Sequence, residues 1–244
     1  MATSRFFCPA PLAPNTTIEL PADLAHHAIR VLRLKPESDM ILFNGQGGQY
    51  PASLLIDGKQ GLAVIGQHDP VENELDGNIT LVQGIAASDK MDWVIEKAVE
   101  LGAQRLIPIT AQRSVLQLNG ERLRKRLLHW RRIAQSASEQ SGRNRIMEIT
   151  EPLSLRDYLA QNDTPPQATL FCHPGSPQTL AQALAPGQDQ LSLLVGPEGG
   201  WSVEEQACVE KYGLTPVSFG KRVLRTETAG LALIAAISAL RGWE

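Results

Sequence analysis

Cysteine is scarce in this chain of 244 residues, and neither sign of charge dominates. The three cysteines, Cys8, Cys172 and Cys208, lie far apart and form no CxxC pair, which excludes a disulfide framework and gives no zinc motif. This usage is typical of a reducing compartment, so we expect a cytoplasmic protein. The formal net charge of -3 means that a nucleic acid would have to bind a local basic patch.

Long apolar runs are also missing. The longest, residues 229–240, is shorter than the roughly 20 residues that a membrane-spanning helix needs. Prolines interrupt the N-terminal stretch MATSRFFCPAPLAP, so we expect no signal peptide and no membrane partner.

Several catalytic motifs are absent as well. The sequence has no GxxxxGK[ST] phosphate loop, no GxGxxG dinucleotide fingerprint and no GxSxG nucleophile elbow. Its five histidines show no ligand spacing, so we expect no metal site.

The chain instead carries two contrasting patterns. Residues 1 to about 70 contain short β-type runs and one helical stretch, typical of a small barrel or sandwich. The acidic stretch 69–78 reads as a linker, and strands then alternate with helices, which predicts an α/β domain with a parallel sheet covered on both faces. The predicted strands are 79–85, 105–109, 145–149, 168–172, 191–195 and 214–219, and the predicted helices begin near Asp89, Glu121, Leu155, Ser202 and Thr226.

The stretch LLVGPEGGWSVEE, residues 193–205, joins a predicted strand to a helix with a Ser202–Glu205 capping box. Ligands of parallel sheets bind at the carboxyl ends of strands, and glycine lets a ligand approach the backbone. We expect this loop to line a ligand crevice, although a tight βα turn alone would also explain its glycines. Glu198 argues against a bound phosphate because the carboxylate would repel it.

Two further segments carry charge. SFGKRVLRTETAG, residues 218–230, also joins a strand to a helix, with Thr226 as the expected N-cap. Residues 121–145 hold eight Lys or Arg against two Glu, which is a local charge of +6. That density indicates a polyanion-binding surface, while a solvated helix face and a solvated loop are the simpler alternatives.

Taken together, LLVGPEGGWS and FGKRVLRTETAG resemble the C-terminal signature of SPOUT methyltransferases, and specifically of RsmE-type 16S ribosomal RNA uracil-N3 methyltransferases. DKMDWVIEKAVELGAQRLIPITAQRSV, WRRIAQSASEQSGR and HHAIRVLRLKPES are similar to other parts of that family, so the resemblance covers nearly the whole chain.

The resemblance implies a PUA-like RNA-binding barrel over residues 1–72 and a methyltransferase domain with a trefoil knot over residues 73–244. It also implies a homodimer that binds S-adenosylmethionine (SAM) and 16S rRNA of the small ribosomal subunit. The residues expected around SAM are Phe171, His173, Val195, Gly196, Pro197, Glu198, Gly199, Gly200, Phe219, Gly220, Val223, Leu224 and Thr228.

Methylation of uracil N3 requires loss of the imide proton, and a nearby cation would stabilise the resulting anion. Arg225 is the first candidate for that cation, followed by Arg222 and Arg143, and Glu227 or Glu198 is the candidate base. Glu227 could equally complement the helix dipole. The residues expected to contact RNA are Arg30, Arg33, Arg122, Arg131, Arg132, Arg143 and Arg222.

Two other functions fit the sequence less well. A non-catalytic rRNA-binding or ribosome-assembly module would bind rRNA without transferring a methyl group. A related methyltransferase would modify another RNA position, such as a ribose 2′-hydroxyl.

Overall fold

The computed structural model describes residues 3–58, 60–114, 116, 118–161 and 168–243. The chain forms two compact units, Met1–Glu74 with Ser138–Ile146, and Leu75–Ala137 with Met147–Glu244. The predicted linker contains the first change of unit. Hydrophobic periodicity gives no sign that the short segment Ser138–Ile146 belongs with the first unit.

Among the described residues, the first unit contains a five-stranded sheet in the order β1-β3-β4-β5-β2. Strands β1 and β3 are parallel and the other neighbours are antiparallel. The α1 helix continues into a π-helical turn, His27–Val31, so the predicted helix at 22–32 is confirmed in outline. The elements are β1 (Ser4–Phe7), β2 (Thr17–Glu19), α1 (Ala22–His26), β3 (Asp39–Phe43), β4 (Tyr50–Asp57) and β5 (Gln60–Ile65).

The core of this unit forms where alternating strand residues meet α1. Met40, Leu42 and Leu54 are almost fully buried together with Ala28 from the helical stretch. Gly61 on β5 allows the close approach, because a Cβ atom there would lie 3.0 Å from the Cβ of Ala25.

The segment Ser138–Ile146 is held in the first unit by buried polar contacts. The Arg143 side chain is 3% exposed and forms an ion pair with Glu74, with Nε donating to Glu74 Oε1 at 3.0 Å. Arg5 donates to the side chain of Asn144 at 2.7 Å. Pairing of this kind is what a buried guanidinium requires.

Within its described residues, the second unit contains a seven-stranded sheet in which all paired strands are parallel. The order is β12-β10-β11-β6-β7-β8, with β9 beside β7. The strands are β6 (Asn78–Gly84), β7 (Arg105–Thr110), β8 (Glu148–Ile149), β9 (Leu153–Ser154), β10 (Thr169–Cys172), β11 (Gln190–Val195) and β12 (Thr215–Val217).

Strand order reverses between β6 and β11, because the chain first proceeds through β7 and β8 and then returns to the other side of β6. Such a reversal opens a crevice at the carboxyl ends of the strands. The α/β class and the parallel sheet predicted from the sequence are confirmed.

The helices of this unit are α2 (Ser88–Glu100), α3 (Gly120–Ser141), α4 (Leu155–Gln161), α5 (Leu180–Ala183), α6 (Val203–Lys211) and α7 (Thr226–Arg241). The last residues of α3 belong to the first unit. Helix α7 packs against α2, β6 and β11. No helix in the described part of the chain is long and apolar enough to cross a bilayer.

Helix starts reveal where the sequence was misleading. The Ser202–Glu205 capping box is confirmed, with Glu205 N–H donating to Ser202 Oγ at 3.1 Å. The Asp89 and Thr226 caps are wrong, because α2 follows Ala87 and α7 follows Arg225 without any side-chain cap of that kind. At the start of α2 the Ala87 N–H donates to the distant Glu198, and at the start of α7 the Thr226 hydroxyl donates to the carbonyl oxygen of Gly196.

Candidate active site

A cleft of about 590 Å³ opens at the carboxyl ends of the strands of the second unit. Residues that follow β10, β11 and β12 form most of its wall, and α2 and the loop after β7 add one residue each, Lys90 and Arg113. The cleft therefore lies where a doubly wound sheet places its ligand.

The loop after β11 fits against two neighbours with no room for side chains. A Cβ atom on Gly84, at the end of β6, would lie 2.5 Å from the nitrogen of Pro197. A Cβ atom on Gly199 would lie 2.9 Å from both the carbonyl oxygen and the Cβ of Arg113. Gly200 has φ +67°, a conformation that favours glycine. Three glycines are thus required by close approach or by backbone geometry.

A buried hydrogen-bond chain connects this loop to the start of α7. Gln83 Nε2 donates to Thr226 Oγ1 at 2.9 Å, and Thr226 Oγ1 donates to the carbonyl oxygen of Gly196. Gln83 is fully buried and Thr226 is 8% exposed. The contact brings together the two loops that were singled out in the sequence.

Replacing Thr226 with Val should destabilise the second unit by about 1–3 kcal/mol, because the isosteric methyl leaves buried polar partners unpaired. Urea unfolding followed by tryptophan fluorescence measures this, since all four tryptophans lie in the second unit. Thr228→Val, at an exposed position of the same helix, is the control. Equal stability of the two variants would show that the hydrogen-bond chain contributes nothing.

Glu198 faces the start of α2. Its Oε1 accepts the Ala87 N–H at 2.9 Å and lies 3.5 Å from Lys90 Nζ. Burial raises the pKa of Glu198, but the backbone N–H donors and the Lys90 ammonium lower it by more, so the net pKa lies below its usual value. The carboxylate thus caps α2 from a distant loop.

Glu227 lies in the first turn of α7 with its side chain 16% exposed. Its Oε2 is buried and accepts no hydrogen bond from any residue that the structure describes. The nearest cations are Lys90 Nζ at 3.6 Å from Oε2 and Arg225 Nη1 at 3.9 Å from Oε1. The Lys90 ammonium therefore faces the buried Oε2, while Oε1 faces the exposed Arg225.

The cations predicted for the site differ in their surroundings. Arg225 and Arg222 both line the cleft, and the Arg225 side chain is 82% exposed. Arg143 is not among the residues that line it, and its guanidinium is bound to Glu74. The expectation that Arg143 serves as a catalytic cation therefore has no support from its contacts, because burial and Glu74 neutralise it.

Most residues expected around a cofactor do line the cleft, while Phe171, Gly199 and Thr228 do not. Phe171 is buried in the core beneath, with its ring 5.6 Å from that of His173. Those that line it are His173, Val195, Gly196, Pro197, Glu198, Gly200, Phe219, Gly220, Val223 and Leu224.

Six of the seven arginines expected to contact RNA are exposed. Arg30 and Arg33 are exposed in the first unit, Arg122, Arg131 and Arg132 are exposed on α3, and Arg222 is exposed at the cleft. Arg143 is 2% exposed and bound to Glu74, so its surroundings do not present it to RNA. Arg131 also donates to the carbonyl oxygen of Ile149 at 3.2 Å.

Sequence reasoning missed Lys90, Arg113, Gln83 and Gly84. The stretch QGIAASDK contains three of them at a strand end, and it precedes a helix just as the two chosen loops do. Gly84, at the end of the strand, was the feature of the sequence that could have identified this stretch as part of the cleft.

Among the residues that the structure describes, the cleft presents neither an ionised thiol nor a cluster of metal ligands. Burial raises the pKa of the Cys172 thiol to about 12, so the sulfur is protonated at neutral pH. Over the residues that the structure describes, no cluster of His, Cys, Asp or Glu is suited to a metal ion.

Two family models match the chain. An RNA methyltransferase domain matches residues 73–238, and an RNA methyltransferase PUA domain matches residues 20–65. The chain is 30% identical to the ribosomal RNA small subunit methyltransferase E of Bacillus subtilis (strain 168), over 91% of this chain and 90% of that protein. It is 32% identical to the protein of the same name from Synechocystis, over 94% of this chain and 76% of that one.

The chain is also similar to solved structures. A crystal structure of ribosomal RNA small subunit methyltransferase E from Neisseria gonorrhoeae bound to S-adenosyl methionine has a TM-score of 0.90 and 34% identity, covering 98% of both chains. A Legionella pneumophila methyltransferase in complex with SAM also has a TM-score of 0.90, with 31% identity, covering 99% of this chain and 98% of that one. The chain therefore belongs to the ribosomal RNA small subunit methyltransferase E family.

Proposed function

We propose that the protein transfers a methyl group from SAM to N3 of a uracil in 16S rRNA. The observation that carries the proposal is the Glu227 carboxylate, which lines a cleft formed by two glycine-bearing loops and has the exposed Arg225 beside its Oε1. An imide N–H is a donor from which a carboxylate can accept.

The cleft offers SAM charges of both signs and apolar surface. SAM is a sulfonium cation with an adenosine; Glu198 and Glu227 supply negative charge, and the cations Lys90, Arg113, Arg222 and Arg225 line the same cleft. The apolar side chains Val195, Phe219 and Leu224 offer faces to an adenine, while the backbone of Gly196 and Gly220 can meet its polar edge. When bound, SAM supplies a methyl group activated by its positive sulfur.

Within this proposal, Glu227 Oε1 accepts the proton from N3, and the freed lone pair on N3 forms the new bond to the methyl carbon. The electron pair of the broken sulfur–carbon bond returns to sulfur, so charge balances. Arg225 stabilises the negative charge that develops on the uracil oxygens, and its high exposure leaves it able to reach a substrate. Alignment of donor and acceptor is the larger part of the task.

The remaining basic residues suit an RNA substrate. N3 lies on the Watson–Crick edge, so the uracil must be unpaired or flipped before it reacts. We propose that residues 1–72 form a PUA-like barrel that binds rRNA through Arg30 and Arg33, while residues 73–244 transfer the methyl group. Arg122, Arg131 and Arg132 form a basic surface on α3, and Arg222 contacts RNA at the cleft. Such binding weakens steeply with salt.

Three finer points follow from family membership. We propose that the C-terminal loops are threaded into a trefoil knot, that the protein works as a homodimer, and that it acts in the cytoplasm. The apolar surface of α7 supports a dimer, because Leu240 is 58% exposed and Ala235 is exposed as well. A second copy would cover that surface.

Isothermal titration calorimetry of the purified protein with SAM and S-adenosylhomocysteine tests the proposal. We expect one binding site per chain for each ligand. Well-folded protein that binds neither would refute SAM-dependent chemistry. Binding of SAM and rRNA without methyl transfer would instead favour a non-catalytic assembly module.

A further inference from the structure

Lys90 lies between the two acidic residues of the cleft. It is in the first turn of α2, and its Nζ is 3.5 Å from Glu198 Oε1 and 3.6 Å from Glu227 Oε2. The two carboxylates come from different loops, one after β11 and one at the start of α7. A single ammonium therefore connects both glycine-bearing loops to a third element.

Of the two cations near Glu227, the Lys90 ammonium is the closer. Arg225 is 3.9 Å from Glu227, but its side chain is 82% exposed, so solvent screens that pair. The Lys90 side chain is 31% exposed and Glu198 is 21% exposed, so this part of the cleft is partly desolvated. A charge pair is stronger where water is excluded.

Lys97, in the same helix, forms ion pairs only with neighbouring residues of that helix, among those that the structure describes. Lys97 Nζ contacts Glu96 at 2.7 Å and Glu100 at 2.6 Å, both within α2. Those contacts hold no other element in place, and Lys97 does not line the cleft. Lys90 differs because both of its partners lie more than a hundred residues away in sequence.

We infer that Lys90 is a positioning residue for the proposed methyl transfer: it holds Oε2 of the Glu227 carboxylate, so that Oε1 is the oxygen that accepts the N3 proton. The inference rests on the proposed function, since it assigns Lys90 a role only through Glu227. Glu198 fixes the other side of the ammonium, and the Ala87 N–H fixes Glu198 in turn.

Other charged and titratable groups face the same cleft and bear on any pH dependence. Beyond Lys90, Glu198, Glu227 and Arg225, the cleft is lined by Arg113, Cys172, His173 and Arg222.

The test compares Lys90→Met, Lys90→Arg and the control Lys97→Met in methyl transfer to 16S rRNA. Lys90→Met should lower kcat by about 10- to 100-fold through misplacement of the base. The KM for SAM should not rise, because removing an ammonium cannot weaken the attraction of two carboxylates for a cation. Lys90→Arg should restore much of the rate, and Lys97→Met should match the wild type.

A double-mutant cycle completes the test. If Lys90 acts through Glu227, adding Lys90→Met to Glu227→Gln should cost less than about twofold. An equal loss in both backgrounds would overturn the inference while wild-type methyl transfer continued. No methyl transfer by the wild type would instead refute the proposed function.

Discussion

Glu227→Gln should lower the rate of methyl transfer by about 10²- to 10⁴-fold, the usual range for loss of a general base. The amide is nearly isosteric with the carboxylate, so the fold and the cleft should persist. An amide oxygen is too weakly basic to take a proton from N3, and the variant also lacks the charge that favours loss of that proton. Single-turnover kinetics with labelled SAM measure the chemical step directly.

The alternative role for Glu227 is favourable interaction with the dipole of α7, which is worth about 0.3–1 kcal/mol. In that case the variant would lose a little stability and keep its rate per folded molecule. Glu210→Gln, an exposed change on α6, provides the control for removal of one negative charge. Retention of more than a tenth of the wild-type rate would exclude Glu227 as the base.

Gly199→Leu should weaken SAM binding by about 10- to 200-fold, which corresponds to roughly 1–3 kcal/mol of overpacking. A Cβ atom at this position would lie 2.9 Å from the backbone oxygen of Arg113, which cannot rotate away as a side chain could. The turn must therefore shift, and the same turn places Gly196, Pro197 and Glu198 along the cleft. Calorimetry measures the effect.

Ala207→Leu adds a larger side chain at an exposed position of α6 and should leave SAM binding unchanged. Tryptophan fluorescence during urea unfolding shows whether each variant retains a folded second unit. Wild-type SAM affinity in folded Gly199→Leu would mean that the turn tolerates displacement and does not shape the site.

Local patterns predicted much of the fold because they depend on residues close in sequence. Ser202 and Glu205 are three residues apart and cap α6 as expected. The start of α2 was misassigned to Asp89 because its actual partner, Glu198, is 111 residues away in the chain. Thr226 was assigned a local cap for the same reason, whereas its hydroxyl reaches Gly196.

The site residues divide in the same way: those marked by a local sequence feature were predictable, and those defined by contacts with distant residues were not. Loops at strand ends were identifiable by their glycines, so most of the cleft-lining residues were predictable. Arg143 was chosen for its place in a basic stretch, and nothing in the sequence reveals that Glu74 neutralises it. Lys90 was overlooked because an isolated lysine in a helix is common, and its two acidic partners become visible only when the strands are assembled.

Mass-spectrometric mapping of 16S rRNA tests the central claim most directly. Unmodified small subunits or their rRNA are incubated with the purified protein and SAM carrying an isotopically labelled methyl group, then digested and sequenced by fragment mass. We predict one labelled uridine with the methyl group on N3, and labelling about 10²- to 10⁴-fold slower with Glu227→Gln. A label on a ribose hydroxyl, or no label although SAM and rRNA both bind, would contradict it.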